Sequence, residues 1–146
     1  MDKGNSPIME MDNYLEKLID ISIRKKQALE KILDITKVQT RAIDQDEMEL
    51  LNQCINDKQG YIETIDHLDS QFSKIYVGIK DKNIQGLKLH GKLMTLVSEI
   101  QGIIREISNI ENTNDIGIKK AMENLKLKMR QLQTGKKGHT AYSNPS

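Results

Sequence analysis

The sequence contains few of the residues that interrupt a helix. Its only two prolines are Pro7 and Pro145, close to the two ends of the 146-residue chain. Proline removes a backbone hydrogen bond and breaks a helix interior more sharply than any other residue. Long, uninterrupted helices are therefore permitted over nearly the whole chain.

Aromatic residues and cysteine are also scarce. Only 3% of the residues are aromatic and none is Trp, while 37% are hydrophobic and 29% charged. This composition is typical of a folded protein whose core is built from aliphatic side chains. The single cysteine, Cys54, excludes an internal disulfide and fits a reducing compartment, so we expect an ordinary buried thiol.

Long apolar runs are absent as well. No apolar stretch approaches the 18 residues that suggest a membrane span, and the first 13 residues carry acidic side chains without the apolar region of a signal peptide. We therefore expect a cytoplasmic protein without membrane insertion. Its length suits one domain of ordinary size.

Apolar residues recur at alternating spacings of three and four, which is the period of an amphipathic helix. We predict an all-α fold with coiled-coil-like packing: an antiparallel bundle of three long helices with a carboxy-terminal helix or kinked extension. The bundle should occupy residues 1–134, followed by a flexible basic tail over 135–146. The predicted helices span residues of about 7–38, 46–79, 88–111 and 116–133.

Each predicted helix has an inward stripe. Ser6 is expected to cap the first helix, with Pro7 at its first position. The stripes comprise Met11, Leu15, Leu18, Ser22, Leu29, Ile32 and Thr36 in the first helix, with Ile19 and Leu33 beside them; Met48, Leu51, Ile55, Lys58, Ile62, Ile65, Asp69, Phe72, Tyr76 and Ile79 in the second; and Leu93, Val97, Ile100, Ile104 and Ile107 in the third.

The pattern weakens at three places. Residues 38–47 lose the apolar period, and Asp44 and Glu47 have the spacing of a capping box, which predicts a turn. Three glycines between residues 77 and 92 predict a second turn. At residues 112–115, Asn-Thr-Asn-Asp interrupts the third stripe, and the pattern alone does not distinguish a kink from a separate fourth helix.

Residues suited to catalysis or metal binding do not come together in the predicted helices. Cys54 and His67 would lie roughly 140° apart around one helix. No Glu-x-x-His motif of a di-iron bundle is present, and Glu63 with His67 is best interpreted as a solvated pair. We predict no enzyme activity, no catalytic residues, no cofactor and no metal.

Charge is unevenly distributed along the chain. Residues 41–70 carry two basic and eight acidic residues, whereas residues 116–146 carry seven basic and one acidic. The two segments could attract each other within the fold, or the basic end could meet an acidic partner. The overall pI of about 7.8 and the lack of aromatics in the basic segment give no support to nucleic-acid binding.

An amphipathic stripe near the carboxy terminus is the candidate binding surface. It consists of Ile118, Met122, Leu125, Met129 and Leu132. Two interpretations are open: the stripe closes the bundle core, or its flexible methionines accept helices of other proteins. The second class of function that the sequence allows is a structural coiled-coil adaptor or oligomerisation module, with a homodimer as its expected form.

The run from residue 33 to residue 51, LDITKVQTRAIDQDEMELL, is followed by Asp57-Lys-Gln, Ile62, Ile65 and Leu68-Asp69 in the second helix. In these residues the sequence resembles the FlgN/FliT group of bacterial flagellar export chaperones. The third helical segment and the tail, with Gly135-Lys-Lys137 and Ala141-Tyr142, are similar to the Gram-positive branch. The resemblance covers nearly the whole chain.

The resemblance implies a small cytoplasmic chaperone in type III secretion during flagellum biogenesis. Its cargo would be an amphipathic terminal helix of a hook-associated protein at the hook-filament junction, or of the cap protein. The chaperone would prevent early assembly and deliver the cargo to the flagellar export apparatus. In this family the cargo surface lies largely on the carboxy-terminal helical part, which favours cargo binding for the stripe from Ile118 to Leu132.

Overall fold

Three helices make up the computed structural model. They are α1 (Pro7–Asp44), α2 (Met48–Tyr76) and α3 (Lys88–Ser143). The structure describes the backbone of residues 7–143 and the side chains of residues 9–134, and the described backbone contains no strand. The predicted all-α bundle is confirmed, while the predicted Ser6 cap lies outside the described residues.

The central element of the bundle is α1. Both α2 and α3 pack along it, whereas the backbones of α2 and α3 do not approach each other closely. Leu15 and Leu18 of α1 share a core cluster with Leu93 of α3, and farther along α1 Ile32 meets Ile107. The helices α1 and α3 therefore run in the same direction, and α2 runs against both.

The predicted stripe of α1 is confirmed by burial. All its members are buried except Met11 and the adjacent Leu33, which are half-buried. Leu15 and Leu18 are completely enclosed because α1 is covered from two sides. Burying a side chain of this size contributes about 1.5–3 kcal/mol to stability. Because most of the buried apolar side chains that the structure describes lie on α1, this helix carries most of the apolar core.

The stripe of α2 is less buried than its spacing predicts. Leu51 and Lys58 are buried, but Met48, Ile55 and Ile62 are more than a third exposed. The face that packs on α1 is instead rotated toward Cys54 and Leu68, which are buried. The reason is geometric: α2 packs along one helix, so the side of its stripe directed toward α3 stays partly open.

The turn between α1 and α2 is shorter than the predicted one at residues 38–47. Helix α1 continues to Asp44, and only three residues precede Met48. Asp46 has a positive φ of 56°, and the Glu47 amide donates to the Ala42 carbonyl at 2.8 Å. This is the arrangement by which a left-handed residue ends a helix. The predicted capping box was wrong, since Glu47 makes no side-chain cap.

Helix α3 is continuous through residues 112–115, so neither a separate fourth helix nor a break occurs there. Asn114 is buried: its Oδ1 accepts from the Thr40 hydroxyl at 2.7 Å, and its Nδ2 donates to the Thr36 carbonyl at 3.3 Å. The polar residues that weaken the apolar pattern are thus part of the interface with α1. The helical backbone also continues through residues 135–143, which belong to the segment predicted as a flexible basic tail.

A second polar contact lies close to Asn114. The Lys58 ammonium of α2, whose side chain is only 11% exposed, donates to the Gln39 side-chain oxygen at 2.8 Å and to the Glu111 carboxylate at 2.6 Å. Among the described side chains, every buried nitrogen and oxygen has a hydrogen-bond partner. We call Thr36, Gln39, Thr40, Lys58, Glu111 and Asn114 the polar layer. It joins all three helices.

Truncation of a fully buried leucine should be far more damaging than truncation of an exposed one. We expect Leu18→Ala to lower the free energy of unfolding by about 2–5 kcal/mol, because it leaves a cavity between α1 and its neighbours. The matched Leu127→Ala, in an exposed part of α3, should change it by less than about 0.5 kcal/mol. Urea denaturation followed by circular dichroism measures both, and equal losses would contradict the assignment of the core.

The two ends of the Lys58–Glu111 ion pair should respond differently to mutation. We expect Glu111→Ala to destabilise the protein by about 1–3 kcal/mol, since it removes the carboxylate from a buried ammonium. Lys58→Met should cost less, because it removes the buried charge itself and leaves a half-exposed carboxylate in contact with water, so that only the neutral Gln39 oxygen loses a buried partner. The same denaturation experiment tests the order, and a larger loss for Lys58→Met would contradict it.

Candidate functional site

Helix α3 extends past the α1–α2 turn, and beyond that level neither α1 nor α2 covers it. Near the end of α1, Gly117 of α3 lies close to that helix, since an added Cβ would lie 3.2 Å from the Ile43 side chain. Beyond it, every described side chain from Lys119 to Thr134 is exposed. These 16 residues, which we call the extension, are about 24 Å long.

The predicted binding stripe lies on the extension and on the last supported turn before it. Ile118 is half-buried, and the other four members are exposed: Met122 by 54%, Leu125 by 57%, Met129 by 53% and Leu132 by 72%. The interpretation in which the stripe closes the bundle core is therefore wrong for these four residues. They form an apolar helix face that no other described part of the chain covers.

The stripe has an apolar groove beside it. A cavity of about 470 Å³ lies between the extension and the α1–α2 turn. On one side it is lined by Ile118, Met122 and Leu125, and on the other by Met48 and Leu51 of α2. The exposed Met48, which was predicted to be inward, therefore widens the apolar surface around the stripe.

A second cavity lies nearer the middle of the bundle. It has a volume of about 250 Å³ and is lined by Ile62 and Ile65 of α2 and by Ile104 and Ile107 of α3, with Lys58 and Glu111 also at its wall. Ile104, Glu111, Ile118, Leu125 and Leu132 follow one another at intervals of seven, so they lie on one side of α3. The stripe thus continues the side of α3 that borders the open cleft with α2.

The spacing of apolar residues did not predict this cleft, because spacing alone does not show whether a stripe is covered on one side or on both. Ile55, Ile62 and Ile104 have the spacing of core positions yet are 39–49% exposed. The available signal was a polar pair: Lys58 within the α2 stripe, and Glu111, which follows Ile107 at the spacing of the α3 stripe, occupy positions that a tightly closed apolar interface would fill with aliphatic side chains.

The residues considered for chemistry remain apart. Cys54 is buried, whereas Glu63 and His67 are exposed. Among the described residues, no three His, Cys, Asp or Glu side chains are grouped so that they could hold a metal ion. No helix in the described part of the chain is both long and apolar enough to span a membrane. The features with functional character are therefore the apolar stripe, the groove and the cleft.

Comparison with protein families decides the kind of protein. The model of the FlgN protein family matches residues 9–146, which includes all the described side chains. The chain belongs to the FlgN family of flagellar export chaperones. This confirms the family resemblance of the sequence. No curated protein and no solved structure matches the chain.

The exposed apolar helix face can be compared with what FlgN-family chaperones bind. Export chaperones of flagella bind flagellar substrate proteins and act with the export machinery. A chaperone for such substrates needs a surface that replaces the contacts which the substrate will later make in its assembly. An uncovered stripe beside an apolar groove has this chemical character.

The thiol of Cys54 should be protected. Its burial raises the pKa above the usual value, with a smaller contribution in the same direction from Asp57. Because the thiolate is the reactive form, we expect alkylation by iodoacetamide to be at least about tenfold slower in the native protein than in urea. A variant combining Cys54→Ala with Ser70→Cys, whose new thiol is exposed on α2, should react rapidly in both conditions. Fast native labelling of Cys54 would contradict the packing of α2 on α1.

Proposed function

We propose that the chain is a cytoplasmic export chaperone that binds an amphipathic terminal helix of a flagellar hook-filament junction or cap subunit. The binding residues would be Ile118, Met122, Leu125, Met129 and Leu132, and the chaperone would deliver the bound subunit to the flagellar export apparatus. The observation that carries the proposal is the exposure of this stripe on a helix whose same side borders the cleft with α2 farther down the bundle.

The physical argument concerns unburied area. Leaving a large apolar side chain in water forfeits about 1.5–3 kcal/mol relative to burial, so a cluster of four exposed side chains next to Met48 is a favourable surface for an apolar helix. The groove beside the stripe would receive the apolar ridge of a bound helix. Helix-in-groove recognition uses anchors at spacings of three and four, as in the stripe itself.

The methionines suit a chaperone that serves a helix rather than a rigid globular surface. Met122 and Met129 are unbranched, and their side chains adapt to irregular partners at little cost. Covering the client's apolar stripe would prevent its self-association before export. Affinity would then come from apolar burial, while specificity would depend on the residues around the stripe.

The site is tested by co-expression and pull-down with the terminal fragments of hook-filament junction and cap proteins. We expect the wild-type chain to form a soluble complex with one of them, and Leu125→Asp with Met129→Asp to abolish it, because two carboxylates would be buried in an apolar interface. The free energy of unfolding of the double variant should lie within about 0.5 kcal/mol of the wild-type value, since both positions are exposed.

The matched control is Ile116→Asp with Leu127→Asp. These two side chains are 58% and 53% exposed, close to the values for Leu125 and Met129, but they lie on the opposite face of α3. The control should retain the complex. Equal binding by the stripe variant and the wild type would overturn the site, and a chain that forms a homodimer through the stripe without any client would favour the structural adaptor instead.

A further inference from the structure

The two flanks of the stripe differ in charge. At 100° per residue, Lys119, Lys126 and Arg130 lie 80–120° from the centre of the stripe on one side, and we call them the basic row. The other flank consists of Ala121, Asn124 and Lys128, and all three line the groove that faces the α1–α2 turn. The basic row is therefore the outer edge of the site, and the turn is its inner edge.

The inner edge has the opposite charge. Asp44, Asp46, Glu47 and Glu49 lie at or beside the turn, and Asp46 lines the groove directly. A helix bound on the stripe would thus lie between an inner edge that is acidic apart from Lys128 and a basic outer edge.

The basic row makes no ion pair within the described part of the chain, although Asp115 and Glu123 each lie one helical turn from Lys119. None of its three side chains forms an ion pair with another described residue, although five such pairs occur elsewhere in the bundle. The intramolecular attraction considered from the sequence is therefore not what engages these three side chains. Three cations on one helix edge repel one another mildly and gain from an acidic neighbour.

We propose that the client helix carries acidic side chains along the flank that lies against Lys119, Lys126 and Arg130. The inference rests on the proposed function, since it assumes that a helix occupies the stripe. Charge complementarity then fixes its pattern: an apolar ridge on Met122, Leu125 and Met129, and carboxylates over the outer edge. Acidic residues at the inner edge would meet the acidic turn and be disfavoured.

A second copy of this chain does not meet that requirement with its own stripe. In an antiparallel pairing of two stripes the same flanks meet, so the basic row of one copy would lie against the basic row of the other, with Glu123 as the only acidic residue of the extension. Like charges at such an interface disfavour association. The charges therefore favour a different protein over an antiparallel second copy as the occupant.

The test measures binding of the hook-filament junction and cap fragments to three chains by fluorescence anisotropy between 50 and 300 mM NaCl. The first is the wild type, and the second carries Lys119→Glu, Lys126→Glu and Arg130→Glu. The third carries Lys17→Glu, Lys31→Glu and Lys74→Glu, which makes the same change in net charge at exposed sites on α1 and α2.

We expect the reversal of the basic row to weaken binding about tenfold or more at low salt, and the control to weaken it less than about threefold. The difference should shrink as salt rises, because screening reduces interactions between exposed charges. A synthetic amphipathic peptide with a leucine stripe flanked by Glu should bind the wild type more tightly than the same peptide flanked by Lys, and this preference should invert in the basic-row variant.

The outcomes separate the two proposals. If the basic-row variant binds the fragments as tightly as the control while Leu125→Asp with Met129→Asp does not bind, the stripe stands and the acidic flank is wrong. If the stripe variant binds normally, the proposed site is wrong. The proposal of an acidic flank on the client is then wrong too, because it assumes that the client occupies the stripe. A homodimer in light scattering that the basic-row variant disrupts would show that the occupant is a second copy, contrary to the proposal.

Discussion

The packing of both α2 and α3 on α1 is the constraint on which the rest of the structure depends. Because α1 is covered from two sides, its apolar face is enclosed, while α2 and α3 each bury only the side that faces α1. The backbones of α2 and α3 stay apart, and their half-exposed isoleucines line an open cleft. The end of α1 at Asp44 also determines where α3 becomes exposed.

The polar layer controls how the three helices are aligned. Apolar stripes alone permit sliding by a turn, because one aliphatic side chain replaces another at little cost. The hydrogen bonds of Asn114 to α1 and of Lys58 to both neighbours are satisfied in one alignment, and any other would leave buried polar groups unpaired. In this alignment Gly117 lies against Ile43, and the stripe begins at the level of the turn.

The sequence was most informative where a helix is covered on two sides. The inward face of α1 follows from its spacing, and so do the buried positions Leu93, Ile100 and Ile107 of α3. The spacing did not predict that α1 continues to Asp44, because polar residues such as Gln39 and Thr40 interrupt the apolar pattern there. Their hydrogen bonds to Lys58 and Asn114 show that they belong to the helix interface. Residues 112–115 were misleading for the same reason: their polarity reflects a polar interface rather than a helix break.

The residues of the candidate stripe were identifiable from periodicity, but their role was not. Spacing describes an amphipathic face and says nothing of what lies opposite it. Only the lengths of α1 and α3, and the alignment between them, show that the face from Met122 to Leu132 is uncovered. The acidic turn and the basic row were visible as charge counts, yet their positions on the two edges of one groove required the fold.

The unsupported extension of α3 has a consequence for the heat of binding. A single helix of about this length is only marginally stable in water without tertiary contacts, whereas the same segment flanked by a second helix gains apolar burial on one face. Occupancy of the stripe and helical order of the extension are then linked equilibria, so ordering of the chaperone contributes to the enthalpy and heat capacity of association. The apparent affinity for a client would accordingly fall on warming faster than the buried area alone implies.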